Sequence, residues 1–382
     1  GAAGLSGPQI AEARERLGAG IGASAGQDRT RLTLDALKSN LEPSLLLFAD
    51  IVQRPDFPVA EIERVRGQQL TAIRQESSNP LGLARRILTP ALYGPEHPYG
   101  APPSGLGTEV SVKAITRDAL VTWHKRWIRP DNATLFVAGD ITAAELRPLL
   151  ETSFGRWRPD PAVARGVIRA AAPNPAKPAR IILVDRPNSP QSLILGGALL
   201  PLEGRQDLIA HRAAVDVLGG LSTSRINMDI REEKNWAYGA FAGLSDARGQ
   251  LSSLVYAPVQ TDRTADSIKA MIDDIKAIRT AKPITQEERT RSIANSVLAL
   301  PGEFERGASF LGALERNQLL GRPDDYFVTA ARRLGALTTE DLNRAVQLFG
   351  TDDLLWVVVG DAAKVEPQLK TLGLPLDVRK AL

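Results

Sequence analysis

Residues 115–127, ITRDALVTWHKRW, lead into 134–140, TLFVAGD, and residues 336–350, ALTTEDLNRAVQLFG, lead into 354–361, LLWVVVGD. Each stretch reads as an amphipathic helix, then a short apolar strand closed by Gly-Asp, then another helix. The landmarks keep a constant spacing: Gly139 and Gly360 stand 221 positions apart, Pro80 and Pro301 also 221, and Leu120 and Leu342 222. Three matches in one order over one layout identify an internal duplication. The expected fold is therefore α+β, two duplicated domains, each a mostly antiparallel sheet covered by helices. Residues 1–155 form the first, 156–178 a Pro/Ala-rich linker and 179–382 the second. The linker is read from Pro159, Pro161, Pro173, Pro175 and Pro178, which break helices and ladders alike.

Working outward, helices are expected near 41–53, 58–77, 80–93, 117–127, 206–218, 222–233 and 264–280, with strands near 134–138, 181–184, 193–200, 236–245, 250–257 and 354–359. In the helix at 264–280 the residues Ile268, Met271, Ile272, Ile275 and Ile278 line one face. The second copy begins near Ile181, so the same offset starts the first copy about 40 residues before Gly1. The first domain is accordingly expected to lack its N-terminal strands and to expose a sheet edge. Gly1 then reads as the start of a fragment or processed product.

The chain has 382 residues, 43% hydrophobic and 24% charged, with a net charge of +3, a balance that argues against a dedicated nucleic-acid binder. It has no cysteine, which excludes disulfides, thiolate catalysis and Cys-ligated zinc. No apolar run approaches the ~18 residues of a membrane span, so no membrane is expected as a partner.

Chemical motifs are sparse. The three histidines are His97 in GPEHPYG, His124 in TWHKRW and His211 in IAHRAAV, and no two stand four apart on a helix as a zinc pair would. Each reads as a loop or packing residue, and no metal ligand is assigned. There is no G-x-S-x-G elbow. GAGIGA at 18–23 is read as an extended segment, because no strand precedes it and its glycines recur every second residue. The stretch from Val217 to Asp246, VLGGLSTSRINMDIREEKNWAYGAFAGLSD, is more informative. A Gly-Gly turn breaks one helix, serines open the next, and that helix ends near Lys234 before a strand beginning at Trp236. Arg231 in the last helical turn and Tyr238 on the strand could donate together to one carbonyl or oxyanion. They could equally complement the helix C-terminus and fill a sheet position.

These stretches, with LGAGIGASAGQDRTRLTLDALKSNLEPSLLLFADIVQRPDF, PVAEIERVRGQQLTAIRQESSNP, ALYGPEHPYG and RWIRPDNATLFVAGDIT, give the chain a resemblance to the pitrilysin/insulinase family of zinc peptidases. The branch is that of mitochondrial processing peptidase and its bacterial relatives. The resemblance implies a pair of similar α+β domains of about 200 residues, two such pairs closing like a clamshell around an unfolded peptide. Active members carry H-x-x-E-H on a helix equivalent to 206–218 of the second copy, which the offset places before Gly1. The third zinc ligand and an assisting glutamate fall on Ala72 and Val65, neither of which can bind a metal, and Glu76 lies about one turn beyond Ala72.

The resemblance therefore implies a non-catalytic half: no catalytic residue and no cofactor in this chain, with zinc in a homologous partner subunit or half. Arg231 and Tyr238 fall on positions that face the partner's centre and bind substrate. Unfolded peptide would extend along a sheet edge near Gly22 to Ser24. Two other readings are a structural core-type subunit without peptidase role, and an active peptidase whose metal motif precedes Gly1. The expected compartment is the periplasm, with the cytoplasm as alternative.

Overall fold

The computed structural model describes residues 1–168 and 172–381. In chain order its first elements are α1 (Gly7–Leu17), β1 (Gly20–Ala25), β2 (Thr30–Asp35), α2 (Leu41–Gln53), α3 (Val59–Ser78), α4 (Pro80–Tyr93), α5 (Glu109–Ala114), α6 (Arg117–Trp127) and α7 (Ala143–Phe154). Then come β3 (Arg180–Asp185), β4 (Gln191–Glu203), α8 (Ile209–Val215), α9 (Arg225–Asn227), β5 (Phe241–Leu244), β6 (Gln250–Gln260), α10 (Thr264–Arg279) and α11 (Gln286–Glu303). The last are α12 (Gly307–Leu320), α13 (Tyr326–Ala336), α14 (Thr339–Ala345), β7 (Leu355–Gly360), α15 (Ala362–Lys370) and β8 (Leu376–Lys380). Two compact units result, one of Gly1–Gln75 with Ser104–Ala170, the other of Glu76–Pro103 with Ala171–Leu382.

In the larger unit six strands follow the order β5-β6-β4-β7-β3-β8. The β5–β6, β4–β6 and β4–β7 pairs are antiparallel, whereas β3 runs parallel to β7 and β8. β7 is buried along its whole length and β4 along nearly all of it, as unalternating apolar runs require when both faces are covered. α10 buries Ile268, Met271, Ile275 and Ile278, the face its periodicity marks out.

The division of units departs from the expected boundary at 155–156, and α4 is the reason. Its apolar face, Leu83, Ala84, Leu88 and Leu92, is buried in the core of the larger unit, against β4 and β7. Gly197 in β4 makes the approach possible: a Cβ there would stand 3.1 Å from Leu88 Cδ2 and 3.3 Å from Leu92 Cδ1. The loop after α4 is pinned to the same unit, since the Tyr93 hydroxyl donates to the Gln250 carbonyl at 3.0 Å and the Tyr99 hydroxyl accepts from Gly249 N at 2.8 Å.

The smaller unit holds one antiparallel hairpin, β1 with β2, registered from Gly20 opposite Asp35 to Ala25 opposite Thr30. Beneath it, Leu45, Phe48, Ala49 and Val52 of α2 are buried, with Phe48 edge-on to Phe154 of α7 at 6.3 Å. The strand expected at 134–138 is absent: these residues form no ladder, and Leu135 and Val137 are 52% and 44% exposed. Their counterpart β7 is paired on both sides, to β3 and β4. Among the described residues of the smaller unit the only ladder is that of β1 with β2, and the apolar run at 134–138 pairs with neither. The expected linker also differs from a free tether. Residues 156–168 are irregular but tied to α6 and the loop after it, with Gly166 N donating to Arg126 O at 3.2 Å, Arg129 Nη1 to Val163 O at 2.6 Å, and Lys125 paired with Asp160 at 3.1 Å. On the other side of residues 169–171, which lie outside the described residues, Asn174 N donates to Tyr93 O at 3.1 Å.

Candidate functional site

Two wide π-helical turns shape the region around Arg231 and Tyr238. α8 continues through one, Asp216–Gly220, and α9 through the other, Met228–Glu233, which carries Arg231. Such insertions widen a helix and re-aim its side chains, and they recur at functional sites. Ile226 and Ile230 are fully buried and anchor the second turn from below. It closes with Lys234 N donating to Asp229 O at 3.0 Å and Trp236 N to Ile230 O at 3.0 Å, across Asn235 in the left-handed region at φ 55°.

The chain then runs beside β6. Gln260 N donates to Trp236 O at 3.0 Å, and Ala237 bridges Val259. The strand expected from Trp236 begins only at Phe241, so Tyr238 sits on an extended segment before β5. That segment is fixed at its far end by Asn227. Its Oδ1 accepts from Ala240 N at 3.1 Å while its Nδ2 donates to Ser222 O at 2.6 Å, and the residue is buried. The first π turn is held as closely: a Cβ on Gly219 would lie 2.2 Å from Ala242 N.

Both site residues face solvent from this frame. The Arg231 side chain is 47% exposed and among the described residues meets only Glu232, at 3.3 Å, while Tyr238 is 87% exposed. A surface pair of that kind contributes roughly 0–1 kcal/mol, so the guanidinium is free to take a better acceptor. No hydrogen bond joins Arg231 to Tyr238; the segments that carry them are linked through the backbone and the Asn227 side chain.

Sequence reasoning missed the groups behind the frame. Arg225 holds both oxygens of Glu288 at 2.7 Å and donates to Pro283 O at 2.9 Å, tying α9 to the start of α11. Lys234 pairs with Asp229 and lies 5.5 Å over the Trp236 ring. Asp274 of α10 faces them, its carboxyl pushed up to about 7 by burial and by the Asp229 charge. A charged residue on a buried helical face was the one available signal.

The histidines are structural. His97 is buried, stacks on Tyr93 at 5.2 Å and accepts from Tyr99 N at 3.0 Å through Nδ1. The His124 ring nitrogen Nε2 meets Val52 O at 2.8 Å, and His211 is half-buried on α8. Among the described residues no three His, Asp or Glu side chains gather as a metal site would require. On α3, Val65 is exposed and Ala72 half-buried, and Glu76 is occupied by Arg86 at 2.5 Å with both side chains largely buried. These residues do not fit a zinc ion. Of GAGIGA, Gly20 to Ala23 are extended within β1, whereas Gly18 caps α1 in the left-handed region; β1 has an open edge on the side away from β2 among the described residues.

Residues 114–296 match the family model for the peptidase M16 inactive domain. An uncharacterized zinc protease of Mycobacterium leprae is 29% identical over 323 residues, 82% of this chain and 67% of that protein. The crystal structure of a peptidase M16 inactive domain from Pseudomonas fluorescens superposes with a TM-score of 0.84 at 23% identity, over 94% of this chain and 85% of that one. The first half of the periplasmic protease PqqL from Escherichia coli superposes with a TM-score of 0.73 at 18% identity, over 97% of this chain and 84% of that half. Motif order and these likenesses agree: residues 114–296 match the peptidase M16 inactive domain, and over most of its length the chain is similar to proteins described as zinc proteases and has the fold of M16-like structures.

Proposed function

We propose that this chain is the non-catalytic, peptide-binding half of a two-part zinc metalloendopeptidase and presents Arg231 and Tyr238 to a homologous half that holds the metal. The observation that carries the reading is a pair of exposed donors on an over-determined frame, in a chain where Val65 and Ala72 stand at the family's metal-site positions. In the complex the Arg231 guanidinium and the Tyr238 hydroxyl hydrogen-bond the carbonyl beside the scissile bond. They favour the transition state because charge builds on that oxygen. The metal chemistry belongs to the partner. The open edge of β1 around Gly22 to Ser24 takes the peptide as an added strand, reading its backbone with little sequence preference. The likeness to the periplasmic protease PqqL supports a periplasmic location as part of the same proposal.

The test is reconstitution with a homologous half that carries H-x-x-E-H, using an unstructured peptide as substrate. Activity should require both halves and fall about 100-fold with Arg231→Ala or Tyr238→Phe, the scale of losing one oxyanion donor. Equal activity in wild type and both variants removes the assigned role. No stimulation of any such partner points instead to a structural subunit.

A further inference from the structure

Away from that site, four arginines of the larger unit crowd around one tyrosine. Arg322, just past α12, has its guanidinium carbon 4.2 Å from the centroid of the Tyr326 ring, and Arg333 of α13 has its own 4.7 Å from the same centroid. Arg316 of α12 and Arg212 of α8 complete the group. Two aspartates serve it directly. Arg333 pairs with Asp207 at 2.6 Å, and Asp246 is shared between Arg316 at 2.7 Å and Arg212 at 3.9 Å.

Arg322 is left over. No acceptor meets its side-chain N–H groups among the described residues, and its only close partner is the Tyr326 ring. Burial and the nearby Arg316 charge together hold Arg212 and Arg322 below the usual guanidinium range. Asp216, also within reach of Arg212, has its carboxyl pushed up to about 6 by burial. The group therefore keeps a surplus of positive charge in half-buried surroundings, where solvent screens it less than on an open surface. A ring-backed guanidinium is a pre-organised fork of donors whose geometry matches two oxygens of one phosphate or carboxylate.

We propose that Arg212, Arg316, Arg322 and Arg333 form an oxyanion-binding site on the larger unit, in which a phosphate or carboxylate group is held by the fork of Arg322 with Arg316 beside it. The site is independent of Arg231 and Tyr238 and stands whether or not the peptidase reading does.

Calorimetric titration of the chain with inorganic phosphate in a low-chloride buffer tests it. One saturable site is expected, weakened at least tenfold by Arg322→Ala and progressively by added sodium chloride. Arg322→Lys keeps the charge without the planar fork and should bind between the two, which preserves the test if the alanine variant folds poorly. A second titration adds a glutamate-rich peptide to the phosphate-saturated protein. Displacement assigns the site to peptide carboxylates, and persistence of bound phosphate assigns it to the free ion. Phosphate binding that is absent, non-saturable or unchanged in Arg322→Ala and Arg322→Lys overturns the proposal.

Discussion

The side-chain oxygen of Asn227 accepts the backbone N–H of Ala240 at 3.1 Å, so the helix that carries Arg231 and the segment that carries Tyr238 are one piece. The Asn227 amide nitrogen also donates to Ser222 O at 2.6 Å, which fixes the turn before the helix as well. One buried side chain thus sets the spacing between two exposed donors.

Asn227→Ala removes both bonds and leaves the Ala240 amide and the Ser222 carbonyl without their partner. A loss of about 2–3 kcal/mol is expected from two such groups, read as a lowered Tm in thermal unfolding. If Arg231 and Tyr238 act as a pair, the folded variant should also lose partner-dependent peptidase activity. Retained activity with lowered stability would confine Asn227 to a structural role.

Gly219→Ala probes the first π turn. The added methyl meets Ala242 N at 2.2 Å and Ala242 Cβ at 2.4 Å, and the backbone of β5 cannot step aside without disturbing its pairing with β6. Overpacking of this kind costs about 1–3 kcal/mol. Gly243→Ala, next to Ala242 in the same strand, is the control, because its Cβ would meet nothing within 4 Å. Equal unfolding curves for the two variants would show that the π turn tolerates displacement.

Asp274 makes stability depend on pH in a direction that can be worked out. Its folded carboxyl titrates at about 7, against 3.8 for an unperturbed one, so the folded state binds more protons than the unfolded state between those values. Its contribution is intact below about pH 4 and is lost as the pH climbs through about 7. Asp274→Asn keeps the shape and removes the charge, so it should unfold a few degrees above wild type at pH 8, with the gap closing toward pH 4.5. A difference in Tm that does not change with pH would mean that the carboxyl is solvated.

Much of this was legible in the residues. The apolar run Leu354–Val359 announced β7, now Leu355–Gly360, and the isoleucine stripe announced α10, because each carries its own periodicity. TLFVAGD looks like β7 and is not a strand, since a ladder depends on neighbours that its own residues do not encode. The amphipathic face of α4 was also plain, yet amphipathicity does not say which sheet a helix will cover. At the proposed site, Arg231 and Tyr238 were singled out by the family resemblance rather than by any local pattern. The tether from Asn227 to Ala240 and the close approach of Gly219 to Ala242 had no local signature, because they join residues 13 and 23 positions apart.

The placement of α4 yields the last prediction. Leu88 is 2% exposed and faces Gly197 across the contact, so Leu88→Ala should open a cavity worth about 2–5 kcal/mol. The loss should appear in the sheet on which α4 lies. Amide hydrogen exchange would then quicken along Leu193–Gly197 of β4 and Leu355–Val359 of β7, while the amides paired between β1 and β2 keep their wild-type rates. The opposite pattern, with β1 and β2 loosened and β4 and β7 unchanged, would return α4 to the smaller unit. It would also restore the boundary at residues 155–156 that linker composition suggests. Because the two outcomes name different strands, one exchange experiment decides which sheet depends on this helix for its stability.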